Sequence, residues 1–509
     1  MCLNISKSVA ANRVSMGIIR NQSIKSTFVT YIGFGIGGLT TLLVAKLVDP
    51  NILGLTRFFT SIAAIVFAVS NLGSVTMMNR FYPYYRDMLP PARRDIFGLV
   101  IILCSIGFLL ATLGTFLLHD LVVRKYGGKS IYVVHYYYLL LPFSFFYLFF
   151  TAFENFSYNQ YKSIFPIFLK EVAMRILTLV LAVLLIVGVL NLPSYIWSYS
   201  FIWGVLLLAL IIYLYRQKDL VFSFSISKVT KRLARQMVTF NGMLYAGAIF
   251  AVIAGNIDNL AISSIKGLDY GFVFEFATYI CTIILIPQRS IIAISIPVLA
   301  KSWKDRNIAS IQSIYKRSSN TMFTYAMLIY MLIILNAEAL FRIMELPQIY
   351  YECLPVIRIL GVMRIVEMYA GVNSPILGTS NHWRVDFFSS VAQFCVTIPL
   401  NIWFLKLWGL EGSAVANVLS VLVFNSIRMG FLYRRFGLNP FSVQQLHVLL
   451  TALAAFLVCY YLPIANYYLS ILIKTMVFSG MFVGAVLYFN LSQDVTEAAE
   501  MVMKRLRRK

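Results

Sequence analysis

Apolar runs about twenty residues long, broken by short polar or basic segments, recur along the whole chain. The first runs without a charge from Phe28 to Ala45, and the chain turns at Asp49-Pro50-Asn51. A second run extends from Leu55 to Met78 with Arg57 two residues inside it, and gives way to a wet, aromatic-basic segment: Arg80, Phe81, Tyr82, Tyr84, Tyr85, Arg86, Arg93 and Arg94. A helix needs roughly 20 apolar residues to cross the hydrocarbon of a bilayer. On that measure spans fall near 27–48, 55–79, 95–118, 133–153, 164–189 and 194–215, then near 239–264, 268–298, 319–337, 353–377, 386–407 and 410–432. A last pair lies near 446–464 and 468–490. The pattern predicts an all-α polytopic membrane protein of about fourteen transmembrane helices. The expected domains are a six-helix lobe at 1–215, a basic cytoplasmic linker at 216–238, a second six-helix lobe at 239–432, and an extra helix pair with a basic tail at 433–509.

Alternate loops differ in charge. One side holds the N-terminus, 80–94, 154–163, 216–238, 300–318, 378–385, 433–445 and the tail, and carries most of the loop Lys and Arg. The other side offers only Arg124, Lys125, Lys129, Lys266 and Arg342. Positive loops stay cytoplasmic, which predicts that both termini are cytoplasmic and that the span count is even. A full-length first span with no small-residue cleavage site behind it reads as an uncleaved helix. The net charge of +23 is then an orientation signal and an attraction to anionic lipid headgroups, not a nucleic-acid footprint. Landmarks also repeat: Gly54-Leu55 with Pro83 and Gly267-Leu268 with Pro297 lie 213 and 214 residues apart. Such an echo suits a transporter built from two like bundles.

Motifs for soluble-enzyme chemistry do not hold up. Gly33, Gly35 and Gly38 spell GxGxxG inside an apolar span, where close helix packing or local bending is the expected role. Gly128-Lys129-Ser130 imitates the end of a phosphate loop, but Val123 stands where that loop needs glycine. The six cysteines fall singly, so no disulfide frame or thiolate metal site is indicated, and no cofactor is expected. Charges inside spans are more informative, since each is costly at depth and usually faces a partner or a wet cavity. They are Arg57, Lys170, Glu171, Arg175, Asp258 beside Asn256, Glu275, Arg289, Arg358, Arg364 and Glu367. Arg57, Arg175, Arg358 and Arg364 are the candidates for a substrate cavity; Asp258, Asn256, Glu275 and Glu367 are candidates for ion coupling. Arg364 and Glu367, three apart, could instead neutralise each other, and Lys170, Arg289 and Arg57 could snorkel to an interface. The cationic balance favours an anionic cargo, and arginine forks suit a diphosphate. Tyr136, Tyr137, Tyr138, Phe143, Phe145, Phe146 and Tyr147 could stack on sugar rings or pack the fourth span.

Several segments together resemble the polysaccharide and O-antigen flippases of the multidrug/oligosaccharidyl-lipid/polysaccharide exporter superfamily. They are Gly54-Leu55 opening span two, the Arg80-Phe81-Tyr82-Pro83 exit, Ile376-Leu377-Gly378-Thr379-Ser380-Asn381 after span ten, and Gly409-Leu410-Glu411-Gly412-Ser413-Ala414 before span twelve. The resemblance extends to span count and layout over nearly the whole chain. It implies alternating access by two six-helix lobes in a bacterial inner membrane. The implied cargo is an undecaprenyl-diphosphate-linked oligosaccharide moved from the cytoplasmic to the outer leaflet, with polysaccharide polymerase or export machinery as partners. A cation-coupled drug exporter of the same superfamily is the first rival, and it needs buried carboxylates. A membrane glycosyltransferase or polymerase is the second. It needs acidic residues on sizeable outer loops, and the longest here, 120–132 and 338–352, are small.

Overall fold

Proline, glycine and asparagine mark the ends of several helices, among them Pro50, Gly73, Asn191, Asn307, Gly437 and Asn466. The computed structural model describes residues 29–218, 220, 223–497 and 500. The basic residues Lys7, Arg13, Arg20 and Lys25 and the tail 504–509 lie outside them. The first run forms α1 (Val29–Leu47). Asp49 then caps α2 (Pro50–Ser70), its carboxylate accepting from the Asn51 N–H at 2.8 Å, with Pro50 in the first turn where a missing N–H costs nothing. Gly73, at φ 73°, makes the break before α3 (Ser74–Met88).

Next come α4 (Ile96–Leu117), the short α5 (His119–Tyr126) and α6 (Ile131–His135), and then α7 (Leu140–Asn159). The fifth run is α8 (Ile164–Phe168), a π turn at Leu169–Ala173, and α9 (Met174–Ile186). The sixth is α10 (Leu192–Ser200) and α11 (Ile202–Arg216). Beyond the linker lie α12 (Lys228–Ile265), α13 (Leu268–Thr282), α14 (Ile286–Lys304) and α15 (Ile308–Ile343). They are followed by α16 (Cys353–Tyr369), α17 (Asn373–Gly378), α18 (Trp383–Phe436), α19 (Val443–Tyr460) and α20 (Tyr467–Tyr488).

Eleven helical stretches are by length and composition able to cross a membrane among the described residues. One of them, α18, is two helices folded at Gly409, whose backbone (φ 64°, ψ −139°) leaves the helical region. The fifth run is split by its π turn, and the tenth holds the 17-residue α16 before a break at Gly371. About fourteen crossings result, and no strand occurs among the described residues. Several boundaries differ from the hydropathy reading. The linker's basic residues from Lys228 onward are the first turns of α12, capped by Ser227 through Thr230 N–H. At 38 residues and 1.5 Å each, α12 is roughly 57 Å long, well beyond a bilayer core of about 30 Å. Similarly, α7 runs on to Asn159, and α16 and α17 part at Gly371 (φ 61°).

The chain divides into two compact units, residues 1–271 and 272–509. The first is built on aromatic packing. Phe59 meets Phe143 edge-on at 5.8 Å, Phe143 stacks on Tyr199 at 5.4 Å, and Phe97 stacks on Phe156 at 4.0 Å. Most aromatics of the fourth run, including Tyr136, Tyr137 and the fully buried Phe143, are therefore spent on this core. The long α12 is fastened near both ends. Tyr126 donates to Leu260 O at 3.1 Å and Ser130 to Ser263 O at 2.7 Å. At the other end Asp95 accepts from the Ser227 N–H at 2.8 Å and the Thr230 hydroxyl at 2.6 Å, and Tyr85 meets Thr230 at 2.7 Å. Burial pushes the Tyr85 phenol up to about 12, with the Asp95 charge acting the same way against the Thr230 hydrogen bond.

Gly54 is needed because a Cβ there would fall on the carbonyl of Leu268, the first residue of α13. Gly54→Val is expected to cost about 1–3 kcal/mol through overpacking. A thermal unfolding midpoint unchanged from wild type in detergent would remove this contact from the account.

In the second unit α15 is central. Its Ser319 hydroxyl donates to Tyr369 O at 2.5 Å and accepts from Gln445 Nε2 at 2.8 Å, while Asn336 donates to Thr475 at 3.1 Å. The Trp303 indole N–H donates to Ile376 O at 3.0 Å. Phe478 and Phe482 of α20 are buried in the same core as Ala452 and Cys459 of α19.

Candidate functional site

Ionisable groups within the apolar helices sort themselves by whether a partner of opposite charge is in reach. In the first unit, Gly33 and Gly37 lie on one face of α1, four residues apart. Side chains there would collide with Glu171 and with the Arg175 guanidinium respectively. Close helix packing is thus the role of this glycine-rich stretch, carried by Gly33 and Gly37, while Gly35 has open space beside it. Arg175 is held on three sides. It pairs with Glu171 at 3.0 Å, donates to the Gly33 carbonyl, and sits over the Phe34 ring at 5.4 Å. The π turn at Leu169–Ala173 carries Lys170 and Glu171, and such one-residue insertions frequently mark functional places. Lys170 does not simply snorkel: its ammonium pairs at 3.0 Å with Glu154, which is 2% exposed and also accepts from Tyr158 OH at 2.7 Å. Beside this pair, amides link in a chain, with Asn79 donating to Asn155 at 3.1 Å and Asn159 donating to Asn79 at 2.7 Å.

Arg57 differs. It is half-buried on α2, near enough to Tyr199 to act on its hydroxyl electrostatically, and has no ion pair among the described residues. Of the polar candidates on α12, Asn256 returns its amide to Val252 O at 2.8 Å, and Asp258 is also partnered.

In the second unit, Arg364 is 15% exposed and pairs with Glu367 at 2.7 Å, three residues on along α16. The spacing alone anticipates this contact. Arg358, on the same helix, is exposed at the protein surface and has no ion pair among the described residues, although its backbone carbonyl accepts from Tyr330 OH at 3.0 Å. Glu275 on α13 is half-buried and likewise has no ion pair among the described residues. The structure thus joins Arg175 to Glu171 and Arg364 to Glu367, and leaves Arg57, Arg358 and Glu275 without an ion pair among the described residues.

One charged pair is absent from the candidates above. Arg428, only 6% exposed, reaches Asp386 at 2.6 Å across the fold of α18, donates to Ser389 at 3.0 Å, and lies 3.5 Å above the Phe424 ring. Asn373 donates to Asn425 at 2.8 Å one turn away. The cost of a charge inside a span, which singles out Arg57 and Arg364, applies equally to Arg428 within the run 410–432.

No known family profile matches the sequence, and no curated protein matches it either. Solved structures do. The chain has the all-α fold of solved flippase and multidrug-transporter structures. One neighbour is the lipid II flippase MurJ in an inward closed conformation, at TM-score 0.72 and 14% identity over 92% of this chain and 98% of that one. A second is an inward-facing multidrug resistance MATE family transporter of the MOP superfamily, at TM-score 0.64 and 16% identity over 80% and 94%. A third is a MATE structure in a straight conformation, at TM-score 0.58 and 16% identity over 82% and 96%.

Proposed function

We propose that this protein is a secondary-type flippase. It moves an undecaprenyl-diphosphate-linked oligosaccharide from the inner to the outer leaflet for surface polysaccharide assembly. Two six-helix lobes, 1–215 and 239–432, work by alternating access, with the pair in 433–509 appended. The observation that carries the reading is the arginine without an ion pair: among the candidate intramembrane arginines of the described residues, Arg57 in the first unit and Arg358 in the second have none. A guanidinium left so at membrane depth is stable when it faces water or an anion. The MurJ-like fold, from a neighbour named as a lipid flippase, points the same way. In this reading the basic loops rest on anionic lipid, both termini are cytoplasmic, and a polymerase or export machine receives the product.

A cation-coupled multidrug exporter is the second reading. The MATE-like fold and Glu275, a carboxylate without an ion pair among the described residues, favour it. Deletion separates the two. The flippase reading expects lost surface glycan and accumulated lipid-linked precursor, with unchanged resistance to cationic drugs. Normal glycan with new drug sensitivity would establish the exporter. Topology is checked with reporter fusions: those after residues 90, 225, 310 and 509 are expected to read cytoplasmic, and those near 125 and 345 outside. One reversed reading among the first four overturns the orientation.

A further inference from the structure

A second polar site lies in the second unit, away from the intramembrane arginines. α15 has 36 residues, and Arg342 lies 26 positions after Lys316, roughly 39 Å at 1.5 Å per residue. Headgroup layers stand about 40–45 Å apart at their outer limits, so these two cations sit at opposite headgroup depths. Around Lys316 the protein forms a cavity of about 240 Å³ lined by Ser313, Lys316, Asn320, Thr321, Ser442 and Gln444, among others.

Three features say what would fill it. Arg317 is already engaged, by Asp494 at 2.5 Å and Glu497 at 2.9 Å, and Thr321 donates to Asp494 at 2.6 Å. Lys316, exposed in the cavity wall, has no ion pair among the described residues, so it is the cation left over. Ser442, the N-cap of α19 (Val443–Tyr460), also lines the cavity and brings the positive end of that helix's dipole to it, its hydroxyl already accepting the Gln444 N–H at 3.3 Å. Finally, Asn320 is 5% exposed and gives its Nδ2 to Leu491 O at 2.7 Å and toward Gln444 Oε1 at 3.5 Å, while its Oδ1 has no hydrogen-bond partner among the described residues. A buried acceptor without a donor costs about 1–3 kcal/mol, which a ligand hydroxyl or amine recovers once the Asn320 side chain turns toward the cavity.

We propose that this cavity binds a phosphate ester carrying a small hydroxyl- or amine-bearing substituent, the chemistry of a phospholipid headgroup. The phosphate lies against Lys316 and the start of α19, and the substituent donates to the wall that Asn320 forms. Occupancy tethers α15 to the start of α19 and to the segment after α20. The site is independent of the transported cargo, so its test does not depend on the flippase reading.

The test uses the full-length protein in dodecyl maltoside and follows its thermal unfolding midpoint. The probes are dihexanoyl-phosphatidylglycerol, dihexanoylglycerol with the same chains but no phosphate, and inorganic phosphate. The phospholipid is expected to raise the wild-type midpoint by about 2–4 °C in a saturable way, as ligand linkage requires. Dihexanoylglycerol should not do so. Lys316→Gln and Lys316→Glu, both at an exposed position, should lose most of the shift, Lys316→Arg should keep it, and Arg435→Glu on a neighbouring basic segment should keep it too. A Lys316-dependent shift from inorganic phosphate alone would support the site and assign it to free phosphate instead of lipid. Full shifts in both Lys316 variants, equal loss in Arg435→Glu, or equal stabilisation by dihexanoylglycerol would each overturn the proposal.

Discussion

Arg57→Gln and Arg358→Gln are each expected to lower surface glycan at least tenfold while the protein inserts and accumulates at wild-type levels. Hydrogen bonds to charged groups contribute roughly 1.5–3 kcal/mol, and tenfold corresponds to about 1.4 kcal/mol, so loss of one guanidinium contact suffices. Lys at either position should restore only part of the activity, since an ammonium keeps the charge but not the two-pronged fork. Arg364 is the internal comparison. It lies 2.7 Å from Glu367, so the double change Arg364→Met with Glu367→Gln removes both charges together and leaves neither unpaired. That double variant is expected to keep near-normal glycan. Should it be well expressed yet inactive, with Arg358→Gln active, the cargo contact belongs to Arg364.

The largest stability effect should come from the pair inside α18. Arg428→Met alone strands Asp386, and Asp386→Asn alone strands a guanidinium that is 6% exposed. Breaking a buried pair from one side costs about 3–5 kcal/mol. Each single variant is therefore expected to melt well below wild type or fail to accumulate. The double variant, Asp386→Asn with Arg428→Met, should recover most of that loss. Its recovery would identify the pair as a structural clasp across the Gly409 fold. Equal damage in double and single variants would mean that Arg428 acts through Ser389 and Phe424 instead.

Helix number was readable because length and hydropathy answer to one physical constraint, the thickness of the hydrocarbon. Termini were less so. Lys228 to Arg235 reads as a basic linker, yet those residues form the first turns of α12, because a Ser227 cap and a helix extending into water satisfy them equally well. The GxGxxG stretch carried the correct idea, close packing, but only three-dimensional contact shows that Gly33 and Gly37 provide it. Among candidate site residues, the i,i+3 spacing of Arg364 and Glu367 announces their pairing, and the i,i+4 spacing of Glu171 and Arg175 does the same. Lys170 with Glu154, and Arg428 with Asp386, join residues 16 and 42 apart in sequence, a relation periodicity cannot express. Arg57 and Arg358 stand out only after Lys170, Arg175 and Arg364 have found partners.

The sidedness of the lipid-linked precursor tests the central claim most directly. In intact spheroplasts of a strain lacking this protein, the oligosaccharide should accumulate where an added membrane-impermeant lectin or periodate cannot reach it. Wild-type protein supplied from a plasmid should render it accessible, and the Arg57→Gln protein should not. Full accessibility in the deletion strain would contradict the account, because the precursor would then be crossing the membrane without this protein.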